Sequence, residues 1–565
     1  MTTRKAEESK RLALIVLYCA VLSGASGGAS GGASGGASGG ASGAAGVEAG
    51  NVLAVFPHFG YSHFKVALPI LNELSRRGHH LTVISYVQNP EAPQLANYEQ
   101  LLLSSATEDQ SSTTINVVPL SEHTPTRSLK VLLQEYYDLY GNGQISCELL
   151  YASGHVETVL ERHKQKPYDL LLTEYFSTDC QLSLAKLLEL PIIGLSTCAL
   201  MPYYYDRIDL PDTPAYVLSE FVGFKQPLSW SERLLNFAQA KLLKLIYRLH
   251  TNRADNALIK RHLNLDIDVD AVARNQTAFI LGNQHYSHMG SRPRTQQFLE
   301  VGGVHITHES QKQLTPKIVQ FLQQSKHGII FISWGSMVRA SSIDDDKLTA
   351  IIHVLQQLPF NVIWKWEAEE QPKPQLDASK FLFVKWAPQL ALLCQPQVRL
   401  FWAHAGLLGL TEALHCGKPL LMTPIYGDQF LNAFAAQDRG VGIKLDYQQI
   451  NVDTLQQSLQ ELSKPSYAER ALKLSQVFNQ RERSPLETAI WSVEHVLQHG
   501  QLAVELIRSP GIELNWFVYH SLDSLAVILA ALLLLLVSCR ALAMPKSQAP
   551  PKPQRKSRKA RRSNT

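Results

Sequence analysis

Cysteine is scarce in this chain. It has seven in 565 residues, and two of these, Cys19 and Cys539, fall in apolar segments near the ends. The other five (Cys147, Cys180, Cys198, Cys394 and Cys416) are odd in number and irregularly spaced. That pattern fits neither a cystine-stapled scaffold nor a metal site, so most of them are expected to be free and buried. No cluster of potential ligands has metal-binding spacing, and no metal is expected. Charged residues make up only 18%, and the formal charge of +4 is unevenly spread. The last 21 residues hold eight lysines and arginines and no acid, which leaves an acidic body between the termini. Such a body gives no encouragement to nucleic-acid binding. Short, turn-bounded strands of the sandwich type are also missing, which argues against an adhesion or receptor module.

The length exceeds what one hydrophobic core usually supports. Basic residues followed by the apolar run Leu12–Leu22 and then small residues read as a signal peptide over 1–25. A four-residue Gly-Gly-Ala-Ser repeat then dominates a low-complexity spacer over 26–50. Near the other end, 521–544 is apolar all round, is approached by Trp516, Phe517 and Tyr519, and is followed by the basic tail 545–565. It is long enough to span a bilayer, and the basic tail places the C-terminus in the cytosol. The result is a type I topology with a lumenal body and a juxtamembrane segment at 501–520. Asn275-Gln276-Thr277 is an acceptable glycosylation sequon.

Between these ends the pattern alternates. Asn51–Phe56 reads as a buried strand, Phe64–Ser75 as a helix closed by Arg76-Arg77-Gly78, and Leu81–Ser85 as the next strand. Further strands are predicted at 169–173, 192–196 and 277–281. A fresh alternation has strands at 329–333, 361–366, 382–385, 400–402, 419–423 and 441–445. The fold class is α/β: two Rossmann-like αβα lobes, 51–290 and 291–500, facing across a cleft, plus one C-terminal transmembrane helix. In such sheets ligands bind at the carboxyl ends of the strands.

His63 follows the first strand and so faces that cleft, where an imidazole suits proton transfer near neutral pH. A base of this kind needs a carboxylate to orient it. Glu174 and Asp179 both lie past the strand 169–173, and Glu174 is the better placed. His58 shares the turn, and His79 and His80 have a capping explanation. In the second lobe Ser336 lies in a strand-to-helix turn able to hold an anion. Trp386 and Gln389, after a strand, suit stacking on a planar base and hydrogen bonding to its edge or to ribose. His404, Gly406 and Gly409 bring an imidazole and backbone amides to a helix N-terminus, which suits a diphosphate. Glu412 lies two turns along for a ribose diol, and Asp428-Gln429 suit a hexose. A nucleotide-sugar fits every item.

With these residues laid out, the chain resembles the membrane-bound UDP-glycosyltransferases of animals, the UDP-glucuronosyl/glucosyltransferase family, particularly insect members. The resemblance runs from about Asn51 to Arg540 and is most specific over Trp386–Gln429. It implies a GT-B arrangement and His63 as base, with Glu174 standing where aspartate is usual. It also implies uracil stacking on Trp386 beside Gln389, phosphate binding by His404, ribose binding by Glu412 and sugar binding by Asp428-Gln429. Ala405 replaces a glycine, Leu408 replaces a phosphate-contacting asparagine, and Gln395-Pro396 lacks the usual histidine. The reaction implied is metal-independent, inverting transfer of a hexose, most simply glucose, to a small lipophilic acceptor. UDP-sugar is the co-substrate and there is no resident cofactor. The setting implied is the endoplasmic reticulum membrane and detoxification, with homo-oligomerisation left open. Ala405 and Leu408 also leave open a catalytically weakened protein that only binds a lipophile or UDP-sugar.

Overall fold

The computed structural model describes residues 48–103, 115–116, 129–307, 314–372 and 376–543. The expected signal peptide, nearly all of the spacer and the basic tail lie outside the described residues. The first sheet has seven strands, all parallel. Across the sheet they run Tyr98–Leu102, His80–Ser85, Asn51–Phe56, Leu170–Glu174, Ile192–Ser196, Thr277–Gly282 and Phe298–Glu300. Strands buried on both faces read as nearly continuous apolar runs, because helices cover both sides. Successive residues still serve opposite cores. Leu53 and Val55 join one cluster, while Val52, Ala54 and Phe56 join the other.

The second sheet is a six-stranded parallel array. Its strands are ordered Phe381–Val384, Asn361–Lys365, Ile329–Ser333, Val398–Ala403, Leu420–Met422 and Gly442–Lys444. Each sheet reverses its winding beside its first strand. The two crevices created this way are where the carboxyl ends of the strands leave room for ligands. Strand positions match the sequence expectations to within two residues or so. The helix expected at Phe64–Ser75 begins earlier and spans Tyr61–Arg76, which puts His63 in its first turn.

The division expected at 290/291 is crossed twice. The first sheet takes one more strand, Phe298–Glu300, too short to show a periodicity. The helices Pro485–His499 and Gln501–Ile507 also return to the first lobe, where Ile490, Val493, Val496 and Val504 complete its core. Just beyond, Ser509 hydrogen-bonds Asp209, and Arg508 reaches the Arg274 carbonyl at 3.1 Å and the Asn275 side chain at 3.0 Å. The helix Leu522–Ala543 follows, 22 residues long and apolar enough to cross a membrane, with no part buried against the body.

The expectation that most cysteines are free is corrected. Cys147 is bonded to Cys180 and Cys394 to Cys416, which leaves Cys198 buried and Cys539 exposed as thiols. Tertiary packing brings these pairs together across 33 and 22 residues, so spacing gives no sign of them. The second pair ties the ends of the helices Gln389–Leu393 and Leu407–His415, which carry Gln389 and Glu412.

Candidate active site

The two crevices face each other across a cleft of about 910 Å³. Ten of the residues singled out in the sequence line it: His63 from the first lobe, and Ser336, Trp386, Gln389, His404, Gly406, Gly409, Glu412, Asp428 and Gln429 from the second. Glu174 sits directly behind His63.

Glu174 ends the strand beside the one that leads to His63, so strand pairing alone brings them close. The His63 Nδ1–H donates to Glu174 Oε1 at 2.6 Å. The Thr197 hydroxyl donates to the same oxygen at 2.6 Å and lies 2.8 Å from Nδ1. Burial alone would raise the Glu174 carboxyl, but the adjacent His63 outweighs it and holds the group below its ordinary value. With Nδ1 committed, Nε2 is left as the acceptor of the ring. Phe176 and His58 pack against His63, both with ring centroids at 4.4 Å. His58 is pushed down to about 3, first by burial and then by His63, so it stays neutral.

Asp179 has a different role. It is fully buried and paired with Arg207, whose guanidinium lies over the rings of Tyr175 and Tyr204, and it accepts from the Tyr247 hydroxyl at 2.9 Å. Among the two carboxylates considered for His63, only Glu174 reaches it.

In the second lobe, Gly406 caps the helix Leu407–His415, leaving the first amides of that helix without intrahelical partners. His404 is wedged between two glycines. A Cβ on Gly406 would lie 2.4 Å from its Nε2, and one on Gly335 would lie 2.6 Å from its Cε1. Burial first, and then the Lys365 ammonium, lower His404 to about 4, so the imidazole is neutral. Ala405 adopts φ 64°, a left-handed conformation that favours glycine. Its methyl is buried in the core of the lobe. Ala405 is not among the residues that line the cleft. Leu408 is half-buried, lines the cleft and packs against the core of the opposite lobe, an apolar contact between the lobes.

Glu412 is 1% exposed yet fully engaged. Gln389 Nε2 donates to Oε2 at 2.6 Å, and Lys65 from the first lobe donates to Oε1 at 3.1 Å. Although burial raises it, Lys65 and His305 hold the carboxyl down at about 2. Trp386 is 60% exposed, with Tyr61 at its edge and the Lys365 ammonium 5.8 Å from its ring. Asp428 accepts from Asn432 at 2.8 Å, but burial dominates and pushes it up to about 6. Gln429 commits its Oε1 to the Ile425 amide at 2.8 Å and so shapes the turn ahead of it.

Three residues of this site were not singled out in the sequence. Lys365 ends a strand and Thr197 follows one, so both carried the same carboxyl-edge signal that identified His63. Lys65 had none, because its partner Glu412 lies 347 residues away.

Comparison with known proteins gives the family and the fold. The UDP-glucoronosyl and UDP-glucosyl transferase family matches residues 50–545. The chain is 27% identical over 486 residues to UDP-glucosyltransferase 2 of Dactylopius coccus, covering 85% of this chain and 90% of that protein. It is 26% identical over 502 residues to UDP-glucuronosyltransferase 1-2 of Rattus norvegicus, covering 86% and 89%. Among solved structures, the glycotransferase of kitacinnamycin superposes with a TM-score of 0.50 at 17% identity, covering 81% of this chain and 98% of that one. The fold is therefore the two-lobed GT-B arrangement. The chain belongs to the UDP-glucuronosyl and UDP-glucosyl transferase family, the UDP-glycosyltransferases.

Proposed function

We propose that this enzyme transfers glucose from UDP-glucose to a hydroxyl of a small lipophilic acceptor, inverting the anomeric centre, with His63 as base and Glu174 orienting it. One arrangement carries the reading. His63, backed by Glu174, and the set Trp386, His404, Glu412 and Asp428 come from different lobes, and His63 and that set line the same cleft.

In this reading the uracil stacks on the exposed indole of Trp386. Gln389 and Glu412 take the ribose, which requires Glu412 to exchange its bond from Lys65 for ribose hydroxyls. The diphosphate meets the amides after Gly406, the neutral His404 imidazole, Ser336 and the Lys365 ammonium. Asp428 and Gln429 hold the hexose. His63 Nε2 takes the proton of the acceptor hydroxyl as its oxygen attacks the anomeric carbon opposite UDP, and Glu174 stabilises the positive ring that forms. Donors fixed at the diphosphate stabilise the charge that builds there as the glycosidic bond breaks. No resident cofactor or metal takes part in this scheme. The helix Leu522–Ala543 anchors the body on the lumenal side of the endoplasmic reticulum membrane.

The loss-of-turnover reading rests on Ala405 and Leu408, and the buried methyl of Ala405 argues against the first of these. For Ala405→Gly two terms oppose each other. Relief of the left-handed backbone gains about 1–2 kcal/mol, and removal of a buried methyl costs about 1 kcal/mol. The net change in a urea unfolding midpoint is therefore expected to be small, about 1 kcal/mol or less, with UDP affinity unchanged. Clearly tighter UDP binding would mean that the methyl does obstruct the phosphate. Gly406→Ala should act in the opposite way. Its backbone, at φ −61°, suits any residue, but the new methyl must displace His404. A loss of UDP affinity of about 10-fold or more is expected, followed by quenching of tryptophan fluorescence.

The deciding experiment incubates detergent-solubilised enzyme with UDP-glucose and a panel of phenols and follows UDP release and product stereochemistry. Acceptor-dependent release of UDP with a β-glucoside product is expected. UDP binding without acceptor-dependent release would leave only the binding-protein reading.

A further inference from the structure

The acceptor half of the cleft holds more negative charge than the transfer step uses. Glu220 lies in the loop ahead of the helix Trp230–Ile246, is 2% exposed and lines the cleft beside Cys198 and Phe221. Neither of its carboxyl oxygens has a hydrogen-bond partner at bonding geometry. The Cys198 thiol and Ala199 amide lie near enough to ease its burial only slightly. A buried, unsatisfied carboxyl of this kind is destabilising unless a ligand engages it.

Its neighbours share its sign. Burial first, and then Asp428, push the Glu220 carboxyl well above the ordinary range, and Asp428 is itself raised to about 6 with Glu135 contributing. Glu135 and Asp138 line the same cleft from the helix Leu129–Ala152. Two of the cations that line it are engaged on the nucleotide side, Lys65 with Glu412 and Lys365 with Glu367. The third, Lys130, is exposed at the start of that helix. The same cleft is also lined by the aromatic rings of Phe59, Phe176 and Phe221.

A buried carboxyl whose oxygens lack hydrogen-bond partners, with other carboxyls lining the same cleft, is compensated best by a cation. An ammonium would ionise Glu220, satisfy its oxygens with charge-assisted hydrogen bonds and rest against aromatic faces. A neutral hydroxyl answers only one of those needs, and a carboxylate would meet like charge. We propose that the acceptor is an aryl-alkylamine bearing a hydroxyl, with Glu220 receiving its ammonium group as the specificity-determining residue. This rests on the transfer reading above, because it assigns the acceptor of that reaction.

The test uses probes that lack a phenolic hydroxyl, so that binding is measured apart from turnover. Full-length solubilised protein is titrated calorimetrically with 2-phenylethylammonium, 2-phenylethanol and 3-phenylpropanoate, and separately with UDP. The ammonium is expected to bind about 10-fold or more tightly than either other probe. Glu220→Gln, which keeps the shape and loses the charge, should abolish that preference, with UDP affinity serving as the control for folding. Equal affinity for the three probes, failure of the ammonium to bind, or a preference that survives in Glu220→Gln would each overturn the proposal. Failure of wild-type protein to bind UDP while the amine preference holds would instead reject the transfer reading and leave the amine subsite standing.

Discussion

Replacing His63 with alanine is expected to lower kcat by about 10²–10⁴-fold with little change in UDP affinity, the range a positioned general base contributes. The effect should appear in kcat because in the proposed scheme His63 meets the acceptor hydroxyl and not the nucleotide. Glu174→Gln should cost less. The single carboxylate oxygen that receives both the His63 Nδ1–H and the Thr197 hydroxyl can be matched by an amide oxygen, so ring orientation survives. Only the charge is lost. The aspartate-to-asparagine precedent in the Ser-His-Asp triad is harsher, because there the amide selects the wrong tautomer of the histidine. Steady-state kinetics with a phenol and UDP-glucose give the comparison. Retention by His63→Ala of a substantial fraction of wild-type kcat would mean that another group takes the proton.

Asp179→Ala is expected to destabilise the protein by about 3–5 kcal/mol, read as a fall in the urea midpoint, because it strands the Arg207 guanidinium in a dry core. Both side chains are 0% exposed, so solvent cannot replace the missing partner. Tyr247 would lose its acceptor as well. The double variant Asp179→Leu/Arg207→Met should recover much of the loss, since removing both charges leaves no uncompensated ion. An Asp179→Ala protein of wild-type stability but without turnover would move Asp179 from the core into the catalytic group. The two carboxylates that follow one strand thus carry opposite expectations, and their hydrogen bonds are what separate them.

Nothing in the sequence distinguished those fates with certainty, since both carboxylates lie past the same strand. Glu174 was preferred because it stands at the strand end, and a parallel neighbour carrying His63 makes that position decisive. The strands themselves were legible because burial on both faces forces apolar runs such as Asn51–Phe56. The nucleotide half was legible for a related reason, since its chemistry sits at consecutive strand ends from Ser336 to Gln429. Contacts made only by folding were not visible. The Lys65–Glu412 bond, the Cys394–Cys416 link and the isolated Glu220 carboxyl join residues whose separation along the chain carries no pattern. The conformation of Ala405 was equally hidden, because an alanine gives no local sign that its backbone is left-handed.

The return of Pro485–Ile507 to the first lobe has a mechanical consequence. The second lobe is an insertion, tethered at both ends to the lobe that holds His63 and, through Ser509 and Arg508, to the segment leading into the apolar helix. A force on the anchor is therefore borne by the acceptor-side body alone. The second lobe is joined to that body by two chain crossings and, across the cleft, by contacts such as Leu408 on the first-lobe core and Lys65 on Glu412, so a hinge at the crossings would have to part those contacts to open the cleft.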